Sequence, residues 1–190
     1  MGKMRMFLRQ STVGREPLAI AMSGIRMGER LLQIGIDTPP VTSLLAAKPG
    51  LSGASSIVLI DEATAAQARR AVSETGALVD IAVHALDALP FDNGSFDLVV
   101  FHNRTGQLSS HVTGDDVRAL GECHRVLRPG GRIVMLESGT PSGLIAKFRG
   151  RKEQGQPDAA IRALEAAGFR AVRMLGDRDG YRFVEGLKVG

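Results

Sequence analysis

Read for the spacing of its apolar positions, the chain alternates short, mostly hydrophobic runs with stretches of helical period. Arg30-Leu31-Leu32-Gln33-Ile34-Gly35, Ile57-Val58-Leu59-Ile60, Val79 to Val83, Phe96-Asp97-Leu98-Val99-Val100-Phe101 and Arg132 to Glu137 each read as a strand. Such runs lack the in-out alternation of a half-exposed sheet, which is how strands covered on both faces look. Between them the pattern predicts helices. One follows Glu16-Pro17, with Leu18, Ile20 and Met22 before Gly24; others run from Val41 to Lys48 and from Ala63 to Glu74. Thr113 with Asp116 resembles a capping box opening a helix through Leu127, which Arg128-Pro129-Gly130-Gly131 stops. Pro157 suits the first turn of a helix to Ala167, closed by Gly168. Arg170 to Leu175 and Tyr181 to Val189, joined across Asp177-Arg178-Asp179-Gly180, read as a terminal hairpin. Strands alternating with helices imply one doubly wound α/β layer with a largely parallel sheet. Residues 138–157, with four Gly, two Pro and a basic cluster at 147–152, read as a connector.

Composition narrows the class. The 190 residues are 44% hydrophobic and 23% charged, as in an ordinary folded domain. Of 24 basic groups, Lys3, Arg5, Arg9 and Arg15 precede the first acid, leaving 20 basic against 20 acidic groups in residues 16–190. The net charge of +4 therefore belongs to a tail, residues 1–15, and the expected single domain, residues 16–190, is balanced. No run approaches the roughly 18 apolar residues of a membrane span, and the first apolar stretch is too short for a signal sequence, so a cytoplasmic location is expected. One cysteine, Cys123, excludes an intrachain disulfide, and the histidines at 84, 102, 111 and 124 show no zinc-ligand spacing, so no metal is expected. Eight aromatics without Trp offer little stacking surface for single-stranded nucleic acid, and no specific nucleic-acid partner is expected. Residues 1–15 and 147–152 are the candidates for a protein partner or a membrane surface.

In open parallel sheets ligands bind beyond the carboxyl ends of the strands. Strand one is followed by Gly35-Ile36-Asp37-Thr38-Pro39-Pro40, strand two by Asp61, strand three by Asp87-Ala88 and strand four by His102-Asn103. An acid such as Asp61 can accept from both ribose hydroxyls, and Asp87 can accept from an exocyclic adenine amine; either could equally cap the next helix. In order, the two suit a nucleoside. His102 is the candidate base, with His111 second. Cys123 and His124, adjacent on a helix, diverge by about 100° and cannot form a dyad.

Leu86-Asp87-Ala88-Leu89-Pro90-Phe91-Asp92-Asn93-Gly94-Ser95-Phe96-Asp97-Leu98-Val99-Val100, followed by Glu122-Cys123-His124-Arg125-Val126-Leu127-Arg128-Pro129-Gly130-Gly131-Arg132, resembles the class I S-adenosylmethionine-dependent methyltransferases. The nearest type is the small-molecule branch that includes the ubiquinone and menaquinone C-methyltransferases. The resemblance implies a seven-stranded, mostly parallel sheet with an antiparallel last strand, S-adenosylmethionine as cofactor, and a small, lipophilic acceptor. It places Asp61 at the ribose and Asp87 with Ala88 at adenine. The first-strand motif, usually acid-x-Gly-x-Gly-x-Gly, here reads Gln33-Ile34-Gly35-Ile36-Asp37-Thr38-Pro39, so Gln33 replaces the acid, and Asp37 and Pro39 replace two glycines. Two alternatives follow. Either Asp37 supplies the carboxylate that Gln33 lacks, or the loop has closed over a site that no longer binds cofactor and the fold serves as an interaction module.

Overall fold

The computed structural model describes residues 17–73, 75–104, 114–139 and 159–190. The basic tail, His111, Thr113 with its capping box, the 147–152 cluster and Pro157 lie outside them.

Seven strands form one sheet in the order β3-β2-β1-β4-β5-β7-β6. They are β1 (Arg30–Ile34), β2 (Ala54–Leu59), β3 (Val79–Val83), β4 (Phe96–His102), β5 (Leu127–Ser138), β6 (Arg170–Arg178) and β7 (Tyr181–Leu187). Pairing is parallel from β3 through β5, and β7 runs antiparallel to both β5 and β6. The expected doubly wound, seven-stranded sheet with an antiparallel last strand is the observed one. Five helices cover it: α1 (Leu18–Ser23), α2 (Pro39–Ala47), α3 (Glu62–Ser73), α4 (Gly114–Val126) and α5 (Ala159–Ala166).

The continuous apolar strands are explained by the two layers. Leu32, Ile34, Val99, Phe101, Ile133 and Met135 pack with Leu120, Cys123 and Val126 of α4 and Leu164 of α5. Their neighbours in sequence, Leu31, Leu98, Val100, Val134 and Leu136, face the other way, onto Ile20 of α1 and Val41 and Leu45 of α2. Ile57 and Leu59 meet Ala65, Ala68 and Val72 of α3. Strands β1, β2, β4 and β5 thus bury both faces, so polarity does not alternate along them, whereas β3 and β6 at the sheet's two edges are half-buried or exposed.

Several boundaries differ from the pattern. Helix α2 begins at Pro39, two residues before Val41, because the first helical positions need no amide donor and proline's φ is already helical. Strand β2 starts at Ala54, before the apolar run: Ser55 is buried with its hydroxyl donating to Ala46 O at 2.6 Å, so a polar residue is accommodated there. It ends at Leu59, leaving Ile60 outside. The stop at Arg128 to Gly131 lies inside β5, as an irregularity between the pairs Phe96↔Leu127 and Leu98↔Arg132. A Cβ on Gly131 would lie 2.9 Å from Arg128 O and 3.1 Å from Asp97 O, so only glycine fits that crossing. The terminal hairpin turns at Asp179 and Gly180, both with positive φ (56° and 78°), as a two-residue primed turn requires.

The chain leaves β1 outward through β2 and β3, then returns to lay β4 against the other side of β1. Strand order therefore reverses between β1 and β4, and their carboxyl tips are where ligands bind in sheets of this kind. Because β7 is antiparallel, its first residue, Tyr181, also lies at this edge, opposite Ser138.

Candidate functional site at the carboxyl edge of the sheet

Gly35 ends β1 with φ 75° and donates its amide to Val58 O at 2.9 Å, a conformation that glycine takes without strain. Past it the loop follows ordinary backbone; among the described non-glycine residues only Ala171 and Asp179 have positive φ. Asp37 accepts from the Thr38 amide at 2.6 Å, while its own amide donates to the Thr42 hydroxyl at 3.1 Å. Pro39 and Pro40 then occupy the first positions of α2, so the opening of that helix lacks two amide donors.

Asp61 caps α3, accepting from the Thr64 amide at 2.8 Å and the Thr64 hydroxyl at 2.7 Å. These bonds hold its carboxyl below the ordinary range, and the side chain stays exposed, with acceptor capacity left for a ligand. Ile60 beside it is 56% exposed. Asp87 and Ala88 are exposed on the loop after β3. That loop is held from behind by Arg125, which donates to Leu89 O, Phe91 O and Asn93 Oδ1, and by Glu122, which accepts from the Leu89 amide at 2.8 Å.

At the β1–β4 junction the residues form a buried polar cluster. Gln33 is fully buried; its Nε2 donates to Thr42 O at 3.2 Å, and its Oε1 lies 3.0 Å from His102 Nε2. With Oε1 as acceptor, His102 carries its proton on Nε2. The sequence places His102 just beyond strand four; the structure makes it the last residue of β4, two past Val100 and on the same buried face, beneath α2. Burial first of all lowers its pKa, to about 4; the Asp37 charge opposes this and Arg104 adds to it.

Asp37 does not leave its charge open at the strand tips. Its side chain is 3% exposed, and Oδ1 accepts from Arg104 Nη1 at 2.8 Å. The Arg104 guanidinium lies 4.2 Å from the centre of the Tyr181 ring, a cation–π contact. Burial, and then the charge of Asp37, hold the Tyr181 phenol above its ordinary pKa. Three buried atoms here have no hydrogen-bond partner: Asp37 Oδ2, Arg104 Nε and His102 Nδ1. Beyond them, Glu137 accepts from Asn103 Nδ2 at 3.2 Å, and burial raises its pKa. Among the described residues no group of three His, Cys, Asp or Glu could hold a metal ion.

The structure thus brings Gly35, Asp37 and His102 together at one junction, and sets Asp61, Asp87 and Ala88 exposed along the next two strand tips. Arg104, Tyr181 and Glu137 were not among the sequence candidates. Arg104 stands only two residues past His102, so reading further past the strand would have reached it. Tyr181 belongs to the site only because β7 runs backward.

A doubly wound sheet of seven strands, parallel except for its antiparallel β7, defines the class: an α/β protein with the Rossmann-like methyltransferase topology. Residues 32–135 match the family model described as a methyltransferase domain. The chain belongs to the class I S-adenosylmethionine-dependent methyltransferase family. It is 33% identical over 132 residues to a ubiquinone/menaquinone biosynthesis C-methyltransferase of Hydrogenovibrio crunogenus, covering 68% of this chain and 50% of that protein. Over 121 residues it is 36% identical to the protein of that name from Nitrosospira multiformis, covering 63% and 47%. The chain spans about half the length of these curated relatives. Its fold matches a SAM-dependent methyltransferase from Aquifex aeolicus with TM-score 0.71 at 17% identity, covering 89% of this chain and 87% of that one. A [4+2]-cyclase superposes with TM-score 0.65 at 19% identity, covering 91% and 79%.

The residues present fit the family's cofactor. Asp61 has free acceptor capacity for a ribose, and the unpartnered Asp37 Oδ2 and Arg104 Nε offer opposite charges to the zwitterion at the methionine end.

Proposed function

We propose that the protein is an S-adenosylmethionine-dependent methyltransferase acting on a small, lipophilic or quinone-like acceptor. The observation that carries this reading is the order of groups along the carboxyl edge: Gly35, then Asp61 beside the outward-facing Ile60, then Asp87 and Ala88. In this reading Asp61 accepts from the ribose hydroxyls, Asp87 from the adenine amine, and Ala88 and Gly35 leave room for close approach. The bound cofactor supplies an electrophilic methyl group, and the protein's part is to align it with the acceptor. His102 would act as base through Nδ1, the ring nitrogen without a partner. A pKa of about 4 leaves it unprotonated at neutral pH and weakly basic, which suits an acceptor whose proton is already acidic. The basic segments 1–15 and 147–152 would meet a protein partner or membrane surface, a reading that rests on sequence alone, as does a cytoplasmic location.

Titration calorimetry with S-adenosylhomocysteine tests the proposal. Binding that Asp61→Ala weakens supports it, and absence of heat at millimolar ligand refutes it. A second reading, a methyltransferase fold without cofactor binding that serves as an interaction module, is favoured by Pro39 and Pro40 at the start of α2 and by the withdrawal of Asp37 into an ion pair. That absence of heat is what it requires.

A further inference from the structure

The amino-terminal edge of the sheet, opposite the edge that holds the candidate site, carries apolar side chains that the fold does not bury. Met27, Leu51 and Leu78 stand in the loops that lead into β1, β2 and β3, and they are 79%, 97% and 85% exposed. Those strands are neighbours in the sheet, with Arg30 paired to Ala54 and Ser55 to Val79, so the three loops emerge side by side. The first two loops are laced together. The Gly28 amide donates to Pro49 O at 2.9 Å, and a Cβ on Gly53 would lie 2.4 Å from Glu29 O. Met27 rests against the second loop, its Cγ 3.7 Å from where a Cβ on Gly50 would stand. Met27 and Leu51 are therefore presented on a fixed frame, and exposed apolar groups rimmed by charge mark a contact surface.

Charge at this edge is sorted by depth. The Glu29 and Asp97 carboxylates are largely covered, the first bound to Arg132 and the second to Arg30 and Arg128. Arg26 and Lys48 stand exposed, one residue before Met27 and three before Leu51. Of the exposed acids near this edge, Asp80 lies within β3 and Asp92 interacts with Arg125. The charge beside the apolar tips is thus positive. Protruding apolar side chains flanked by cations match a bilayer surface, whose headgroups meet the Arg and Lys heads while its acyl boundary takes the apolar ends. We propose that this edge docks the protein on an anionic lipid membrane, with Met27, Leu51 and Leu78 entering the boundary of the acyl chains and Arg26 and Lys48 meeting lipid phosphates. The inference is independent of the cofactor reading. Docked in this way, the protein keeps the carboxyl edge of its sheet toward the solution.

Sedimentation of the full chain with vesicles tests the proposal, comparing equal parts of phosphatidylcholine and phosphatidylglycerol with phosphatidylcholine alone. At low salt the wild type binds the mixed vesicles about tenfold or more tightly than the neutral ones. Leu51→Ser and Leu78→Ser each weaken that binding about fivefold. Arg26→Gln combined with Lys48→Gln weakens it about tenfold or more. The triple variant Met27→Ser, Leu51→Ser, Leu78→Ser leaves the vesicles, and its circular dichroism is unchanged because all three side chains are exposed in the fold. A polarity-sensitive dye on Leu51→Cys shifts to the blue with mixed vesicles, and Cys123, buried, does not compete for the label. The same dye on Arg178→Cys, exposed at the opposite edge beside Tyr181, does not shift. Absence of binding by the wild type, equal binding to both kinds of vesicle, or a shift at position 178 without one at 51 overturns the proposal. Binding that survives the triple variant also overturns it, since another part of the chain, such as residues 1–15, then carries the attachment. So does a dimer in solution that the triple variant breaks, because a second copy then covers the same side chains.

Discussion

Acid should loosen this fold chiefly through His102. Its ring is buried and neutral, with Nε2 3.0 Å from Gln33 Oε1 and Nδ1 without a partner. Burial is the main cause of its low pKa of about 4, with Arg104 adding to the effect and Asp37 opposing it; in the unfolded chain it returns to 6.5. Between those values the unfolded chain holds a proton that the folded one refuses, so stability falls as pH falls from 6.5 toward 4. At about 1.36 kcal/mol per pH unit, the full loss is about 3 kcal/mol, and about 2 kcal/mol of it is gone by pH 5. Urea unfolding at pH 7, 6 and 5, followed by circular dichroism, measures it. His124 is also shifted down and adds a smaller loss of the same sign. Glu137, shifted up, acts in the opposite sense. Glu29, Asp97 and Glu122 are held below the ordinary carboxylate range and lose their contributions only at lower pH. The comparison that isolates His102 is His102→Gln, which shares every other group and keeps an amide donor for Gln33. Its stability should change far less between pH 7 and 5. An equal slope in the variant, or no slope in the wild type, refutes the reasoning.

Arg125 holds the turn after Asp87-Ala88 through Leu89 O, Phe91 O and Asn93 Oδ1, so Arg125→Met should cost about 2 kcal/mol in urea unfolding and weaken S-adenosylhomocysteine binding together. Retained affinity would show that the clamp does not shape the cleft. Burial pushes the Cys123 thiol up to about 12, so a thiol reagent should find no reactive cysteine in the native protein at pH 8 and one in urea. Pro39 begins α2 in a conformation it is built for, so Pro39→Gly should lower stability by about 0.5–1 kcal/mol and leave S-adenosylhomocysteine affinity unchanged. Tighter binding by that variant would mean that proline closes the loop.

Much of the architecture could be read from the chain because the central strands are covered on both faces. Leu31 to Ile34, Ile57 to Leu59 and Leu98 to Phe101 have no solvent side, so apart from the buried Gln33 they are hydrophobic throughout, and helices must lie between them. Element ends were less legible where two rules compete. Pro39 reads as a breaker in isolation and as a first helical residue in place, and Arg128 to Gly131 read as a stop yet carry an irregular strand past a close backbone crossing.

The candidate site divides the same way. Residue type and position after a strand are local, and they marked Gly35, Asp61, Asp87 and Ala88 at the carboxyl edge. Pairing across that edge is not local. Whether Asp37 opens into the cleft or turns inward depends on Arg104, 67 residues away, and Arg104 in turn rests on Tyr181, brought to the same edge by the antiparallel course of β7. His102 belongs to the core because the register of β4 sets it on the face of Val100, beneath α2 and beside Gln33. The sequence by itself determined the sheet, its helices and the order of polar groups along its edge, since those follow from periodicity and from chemistry within a few residues. Only the tertiary structure decided which of those groups are charged, paired or left wanting a partner, because that depends on strands packed together from distant parts of the chain.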